Sequence, residues 1–456
     1  MHSFPETFRD RHICIMGLGY VGLTLAVVMA EVGYQVTGVE IRTEAVASLR
    51  RGKPHFFEPG LEGRLQRVVN SGRLDIQSSI PKTPPASVYI VTVGTPLDAN
   101  GKVRIDMMSR VAEEIAQSIN DGDLVIMRST VELGTTNRIV RPILDKAGKR
   151  FDLAFCPERT LEGQALKELR ELPQIVGGDD VGVRARAMQI FQYLTPTVVQ
   201  VSSLETAELI KLTDNAQRDV LFGLANEVAR ISDAIGVSAM EVIRAGKLGY
   251  PRTNVALPGP VGGPCLEKDP HILANGLKPF GVTPEIILAA RHLNERQPQE
   301  VITMLQSFCA KVPDFPEAPS ITLAGVAFKG RPETDDLRGT MALPILAALR
   351  THFPKARFLG FDAVVAPEKI RSRFDLAPAP RLEAAFDKAH LVVIANNHLC
   401  FERMPLPYLA QSMARPGIIF DFWNNFADSE IELPEGIHYA GLGNLGRTIR
   451  QLGLKA

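Results

Sequence analysis

The stretch HICIMGLGYVGLTLAVVMAEVGYQVTGVE, residues 12–40, decides the fold. It opens on an apolar run, HICIM, that ends at a glycine and reads as a buried strand. The run behind it, YVGLTLAVVMAEVG, contains no proline, carries strong helix formers and closes on Gly33. A second strand, YQVTGVE, then closes on Glu40. Strand, helix and strand in this order make a crossover between parallel neighbours. Between the first strand and the helix, Gly17, Gly19 and Gly22 stand in G-x-G-x-x-G spacing. The first glycine permits a tight turn, the second lets a pyrophosphate approach the backbone, and the third lets helix pack on strand. Tyr20 and Val21 open the helix, whose unpaired N–H groups face a bound phosphate. Glu40 falls about 20 residues on, where an acid holds the ribose hydroxyls of a dinucleotide. With strand, glycines, helix and acid in register, the expected cofactor is NAD. Glu40 opposes the extra phosphate of NADP by charge, and Arg42 softens that opposition.

Outward from this unit the pattern repeats. SVYIVTVGTP, DLVIMRST and FDLAFCPE read as further strands, mostly separated by helical stretches. Strands alternating with helices imply a parallel, doubly wound sheet whose ligands sit beyond the carboxyl ends of its strands. From Ser203 the pattern changes. LETAELIKLTDNAQRDVLFGLANEVARISDAIG lacks proline, and Leu209, Leu212, Val220, Leu224, Val228, Ile231 and Ile235 form a helical stripe that stops at Gly236. So long a helix suits a spine between domains or a dimer interface. KVPDFPEAPS, residues 311–320, reads as a linker, after which SITLAGVAFKG, ARFLGFDAVV, AHLVVIANNH and GIIFDFWN return to strands. Three parts are expected: an α/β domain over 1–202, a helical middle over 203–310, and a second α/β domain over 311–456.

Composition narrows the function. Lys plus Arg equals Asp plus Glu at 51 each, which argues against a general nucleic-acid or membrane-surface binder. The five cysteines are scattered, odd in number and without C-x-x-C spacing, so neither a disulfide framework nor a zinc site fits. The opening MHSFPETFRDRH is charged and lacks the apolar core of a secretory signal. Apolar runs such as LTLAVVMA are too short to span a bilayer. A cytoplasmic location is expected.

Beyond the fingerprint, the chain resembles the UDP-glucose/GDP-mannose dehydrogenase family. The resemblance rests on GLGYVGLTLA, RGKPHFFEPGLEGRL, VTVGTPLDANG, RSTVELGTT, CPERTLEG, AELIKLTDNA, GPVGGPCLEKDP and GVAFKGRPETDDLR, in that order and spacing. It implies oxidation of the C6 alcohol of a nucleotide sugar to a carboxylate with two NAD⁺ and no metal. It also implies two Rossmann-like, doubly wound domains joined by a long central helix, which forms the core of a homodimer.

Oxidation of an alcohol to an acid removes two hydrides with an aldehyde between them. A thiolate can hold that aldehyde as a thiohemiacetal, pass through a thioester and release the acid to water. The resemblance places this role on Cys265, with Gly262 on its N-terminal side admitting substrate. Read from composition alone, Cys265 is an inert thiol at a bend, the usual fate of a free cysteine. The resemblance makes Asp269 a handler of protons or water, Lys211 the cation that stabilises developing oxyanions, and Asn215 its neighbour one helical turn on. Thr130 positions water or cofactor, and Glu158 contributes general acid/base work; Glu162 suits either that site or a helix N-terminus. Thr95 falls near the nicotinamide ribose. Lys329 and Arg338 match groups near substrate and cofactor, although Arg338 has Asp335 and Asp336 close in sequence as local partners. Arg252 resembles an arginine that reaches substrate from a neighbouring subunit.

The chain also departs from the family pattern. Pro264 stands where many members carry Ser or His, and Gly339-Thr340 replaces a common Glu-Ser pair. Arg159 in CPERTLEG, together with PRTNVALPGP, resembles the branch acting on UDP-N-acetylmannosamine or a related UDP-N-acetylhexosamine. UDP-glucose oxidation is the alternative. A two-electron hydroxyacid dehydrogenase and a non-catalytic NAD-binding protein also remain open.

Overall fold

Parallel strands buried on both faces need continuous apolar runs, and VYIV and DLVIM are buried at every position. They belong to a sheet built from β1 (His12–Met16), β2 (Gln35–Val39), β3 (Leu74–Gln77), β4 (Val88–Val91), β5 (Asp123–Met127), β6 (Phe151–Phe155), β7 (Gln174–Gly178) and β8 (Val198–Val201). Its order is β3-β2-β1-β4-β5-β6-β7-β8. The chain leaves β1 for β2 on one side and returns to β4 on the other, so the strand order reverses between β1 and β4. A crevice for a ligand opens at such a point. The computed structural model describes residues 4, 8–98, 103–426 and 431–453. The start of the chain and the Asn-Gly end of VTVGTPLDANG lie outside the described residues.

The chain divides into two compact units, Met1–Asn215 with His271–Thr283, and Ala216–Pro270 with Pro284–Ala456. The first contains the eight-stranded sheet. One neighbour relation in it corrects the parallel expectation: β7 runs antiparallel to β6, with Ala154 opposite Gly178, before β8 resumes parallel to β7. Strands β3, β7 and β8 escaped the sequence reading; β7 is central and buried throughout, while β3 and β8 are edges. Their short, half-exposed patterns lack the unbroken apolar run of a central strand.

The second unit holds a six-stranded sheet, parallel at every pairing: β9 (Ser320–Ala324), β10 (Arg357–Phe361), β11 (Ala377–Pro378), β12 (Leu391–Ile394), β13 (Gly417–Asp421) and β14 (Ile437–Gly441). Its order, β11-β10-β9-β12-β13-β14, reverses between β9 and β12. Ile321, Leu323, Val393 and Phe420 centre its core. Residues 311–319 join the helix Glu285–Cys309 to β9 inside this unit, and Val312 is buried there.

The long helix runs over Leu204–Ile235, about 48 Å at the standard rise. It ends where Gly236 takes φ +69°, a left-handed conformation that glycine adopts without a Cβ clash. Its apolar stripe is not uniformly buried. Leu212 is buried, but Leu209, Leu224, Ile231 and Ile235 are exposed, with Leu221 beside them. The buried side instead carries Ala216, Ala225, Ala229, Asp219, Asn226 and Asp233. Close approach explains the choice: a Cβ on Gly223 would meet the Ala290 Cβ at 2.8 Å, so this face takes small or hydrogen-bonded side chains.

Candidate active site

In the first unit, Gly17 ends β1 at φ +93° and donates its N–H to Val39 O at 2.9 Å. A Cβ on Gly22 would strike the Gly17 carbonyl, so only glycine allows the helix Tyr20–Val32 to sit this close to the turn. Thr92, just beyond β4, locks the turn by donating to Met16 O and Gly17 O at 3.0 and 2.8 Å. A Cβ on Gly19, in contrast, would meet nothing within 4 Å. The helix has no side-chain cap at Gly19 and no acid in its first turn. An open glycine before uncapped N–H groups at a strand crossover fits a dinucleotide pyrophosphate. Tyr20 turns its hydroxyl to the 163–165 loop, where it accepts from Gly163 N–H at 2.6 Å. The same loop is held by buried Glu58, which accepts from Gly163 and Ala165 N–H at 2.7 and 2.8 Å. Sequence reasoning gave Glu58 no role, although its lying inside a matched segment was a usable signal.

Glu40 is buried, but its carboxylate is already engaged by Arg42, at 2.9 Å to Nε and 3.0 Å to Nη2. Burial pushes its pKa up, yet the Arg42 bonds and charge outweigh this and hold the carboxyl below its ordinary value. Thr95 and Thr130 meet: the Thr95 hydroxyl donates to Thr130 O at 2.5 Å.

Beyond β6, Glu158 is 6% exposed and both its oxygens are taken. Oε2 accepts from Arg128 Nε and Nη2 at 3.0 and 2.6 Å, and Oε1 accepts from the N–H groups of Arg159 and Thr160, each at 2.7 Å. Arg128 is itself buried and also donates to Cys156 O and Gln174 Oε1, both at 3.0 Å. Burial raises the Glu158 pKa; the charge of Arg128, then the hydrogen bonds and the charge of Lys211, pull it down further, so the carboxyl stays ionised. A carboxylate offers about four acceptor positions, and these bonds fill them. Arg128 was visible in RSTVELGTT, but nothing in the sequence marked it as buried.

Lys211 is half-buried and Asn215 buried on the long helix. Their stretch of helix is anchored by buried Glu208, which accepts from Gly134 N–H, Thr136 N–H and the Thr136 hydroxyl at 2.5, 3.0 and 2.6 Å. Arg159 pairs with Asp214 at 3.4 Å and donates to Pro173 O at 2.8 Å.

In the second unit, Cys265 is exposed on a turn just before the helix Asp269–Leu277. Its carbonyl accepts from Asp269 N–H at 2.9 Å, which ties nucleophile candidate and acid into one turn. Asp269 is fully buried and paired with Lys268 at 2.7 Å. The turn is pinned on several sides. Gly263, at φ +92°, donates to Gly339 O at 2.7 Å, and a Cβ on Gly262 would collide with that same carbonyl. Asn226 clamps Gly259 in both directions, at 2.9 and 3.0 Å. Buried Arg291 donates to Leu266 O at 2.7 Å and Val261 O at 3.1 Å, with Asp219 of the long helix as counter-charge at 2.8 Å. Sequence reading singled out neither Arg291 nor Asp219.

This places Gly262, Cys265 and Asp269 beside the loops carrying Lys329 and Arg338. Phe328 packs on Gly263, and Lys329 Nζ lies 5.2 Å from the Phe328 ring centroid. Arg338 pairs with Asp336, as its local alternative anticipated. Arg252 lies over the neighbouring Tyr250 ring at 4.6 Å and donates from Nε to the Tyr250 hydroxyl at 3.2 Å. Thr95, Thr130, Glu158, Lys211 and Asn215 belong to the first unit; Arg252, Gly262, Cys265, Asp269, Lys329 and Arg338 belong to the second. Among the described residues no three His, Cys, Asp or Glu side chains cluster as a metal site.

Comparison with known proteins assigns the class. The chain matches three domains of the UDP-glucose/GDP-mannose dehydrogenase family: the NAD binding domain over residues 11–195, the central domain over 205–296 and the UDP binding domain over 322–428. It belongs to that family, and is an NAD-dependent oxidoreductase of nucleotide sugars. Among its relatives, a UDP-N-acetyl-D-mannosamine dehydrogenase of Pyrococcus horikoshii is 32% identical, covering 94% of this chain and 99% of that protein. A solved structure of a UDP-D-ManNAc dehydrogenase from the same organism superposes with TM-score 0.85 at 30% identity, covering 96% of this chain and 100% of that one. A UDP-glucose dehydrogenase from Pyrobaculum islandicum gives TM-score 0.84 at 25% identity, covering 97% and 100%.

Proposed function

We propose that this chain oxidises the C6 alcohol of a UDP-N-acetylhexosamine, with UDP-N-acetyl-D-mannosamine the first candidate, to the uronate through a covalent intermediate on Cys265. The observation that carries the chemistry is the contrast among the thiols. Cys14, Cys156 and Cys309 are buried, and burial pushes Cys14 and Cys156 up to about 12; half-buried Cys400 is also pushed up to about 12. Cys265 alone is exposed, on a turn that glycines and Arg291 hold in place. The names of the relatives and the acetamido-type CPER segment support the sugar.

Two NAD⁺, bound one after the other, would each accept one hydride. In the first oxidation the C6 carbon gives up a hydride and its hydroxyl gives up a proton to solvent, leaving an aldehyde. The Cys265 thiolate adds to the aldehyde carbon, and the oxygen takes up negative charge. Lys211 and Asn215 steady that oxygen. Loss of the second hydride leaves a thioester. Water adds to the thioester carbon, the C–S bond breaks, and carboxylate, thiolate and protons remain. Asp269 takes a proton from the water, and Thr130 orients it. Glu158 would have to surrender one of four hydrogen bonds to act as general base. We therefore assign it to shaping the 158–160 turn. Gly262, Lys329, Arg338 and Arg252 are assigned to substrate, with Lys329 and Thr95 also toward the cofactor.

A homodimer through the long helix is part of this proposal. Leu221, Leu224, Ile231 and Ile235 follow one another at intervals of three, seven and four residues and are 39–56% exposed, a stripe that a second copy would cover. No helix among the described residues is long and apolar enough to cross a membrane, and we place the enzyme in the cytoplasm with its dinucleotide.

The test is a panel of UDP-N-acetylmannosamine, UDP-N-acetylglucosamine, UDP-glucose and GDP-mannose with NAD⁺. Two NADH per uronate, with fastest turnover on an acetamido sugar, is the expected result. One NADH with free aldehyde accumulating would exclude the covalent route, and preference for UDP-glucose would exclude the sugar assignment.

A further inference from the structure

The acid at the end of β2 is already paired with Arg42. Glu40 is 5% exposed. Its Oε1 accepts from both the backbone N–H and the Nε of Arg42, at 3.0 and 2.9 Å, and its Oε2 accepts from Arg42 Nη2 at 3.0 Å. Three of roughly four acceptor positions are therefore filled by one residue. An acid that secures NAD against its 2′-phosphorylated form needs free oxygens for the ribose hydroxyls and an uncompensated negative charge against the phosphate. Here one position remains, and the charge is matched by a guanidinium.

Arg42 is held by a second group. Its Nη2 lies 3.0 Å from His55 Nε2. Burial and the nearby Arg42 charge lower the His55 pKa, which keeps the ring neutral, so Nε2 accepts and Nδ1 carries the proton. That Nδ1 is buried and has no hydrogen-bond partner among the described residues. The His55 ring stands edge-on to Phe56, which in turn packs on Tyr20 of the glycine turn at 4.7 Å. A cation with over half its side chain exposed, braced by the His55 imidazole, thus flanks the ribose acid.

We infer that Arg42, steadied by His55, gives this chain dual dinucleotide recognition, so that a 2′-phosphorylated nicotinamide dinucleotide binds as well as NAD. With NAD, one ribose hydroxyl takes the remaining position on Glu40 Oε2. With the phosphorylated form, Arg42 turns its guanidinium from Glu40 to the phosphate, a planar donor set suited to that anion. The inference rests on Glu40 lying at the ribose, and not on the sugar oxidised.

Calorimetric titration of the full chain with NADH and NADPH, with no sugar present, tests it. The natural chain is expected to bind NADPH within roughly 100-fold of NADH. Arg42→Ala should weaken NADPH relative to NADH by roughly tenfold or more, and Arg42→Lys and His55→Ala should move the ratio the same way by less. Arg42→Ala should keep the fold, and its melting curve checks this; the other two variants give the same reading if it does not. A wider selectivity in the natural chain, or an Arg42→Ala variant that weakens both dinucleotides equally, overturns the inference. Failure of the sugar panel leaves this titration unaffected.

Discussion

Replacing Arg291 by Met should separate stability from catalysis. Arg291 is 1% exposed and its partner Asp219 is fully buried, 2.8 Å away. Removing one member of such a pair leaves an uncompensated charge inside the protein, at a cost of about 3–5 kcal/mol. That is a large share of the roughly 5–15 kcal/mol by which a domain is stable. The carbonyls of Val261 and Leu266 lose their donor as well. Changing Asp219 to Leu in the same chain removes the stranded charge, and Asn294 still donates to the Asp219 backbone carbonyl at 3.0 Å. The double variant should therefore recover most of the loss, leaving about 1–2 kcal/mol from the unsatisfied carbonyls. Activity should not follow. Val261 and Leu266 bracket Cys265, and their anchor is the guanidinium itself. Urea unfolding followed by circular dichroism, with turnover measured on the same samples, reads both quantities. A double variant as unstable as Arg291→Met refutes the charge-pair reasoning. One that regains full turnover refutes the anchoring role.

Other tests are independent of that pair. Gly19→Ala adds a methyl into open space and should leave the melting temperature nearly unchanged while weakening NADH binding at least roughly tenfold; Gly22→Ala collides with the Gly17 carbonyl and should lower both. Iodoacetamide at neutral pH should label Cys265 first, read by peptide mass spectrometry, because the other thiols are buried or half-buried; earlier labelling of Cys156 or Cys400 would contradict the site. Asp233 caps the helix Leu445–Gln451 through Gly443 and Gly446 N–H, yet burial raises its pKa from 3.8 to about 6. Its stabilising contribution is complete below the ordinary value and lost as pH rises through the folded one, up to about 3 kcal/mol. In urea unfolding across that window, stability of the natural chain should fall with pH relative to Asp233→Asn; parallel profiles would remove Asp233 as the cause.

The sequence alone determined the crossover at residues 12–40, because period and punctuation are local: an apolar run, spaced glycines and a proline-free helix each restrict a few neighbouring dihedrals. The long helix was legible for the same reason, and so was the glycine turn of Cys265, whose chemistry came from resemblance. Edge strands β3 and β8 were not legible, since a strand that is half solvated keeps no unbroken apolar run. Nor was the antiparallel step from β6 to β7, which depends on pairing between distant segments. The electrostatics belonged wholly to the tertiary structure. Arg128, Glu208 and Arg291 look like ordinary surface charges in a linear reading. Only folding buries each one against backbone groups or a counter-charge far along the chain, where low dielectric makes the pairing strong and its loss costly. Glu40 shows the limit most directly: its place at the end of a strand was readable from spacing, but its engagement by Arg42 and His55 was decided by side-chain geometry that spacing does not contain.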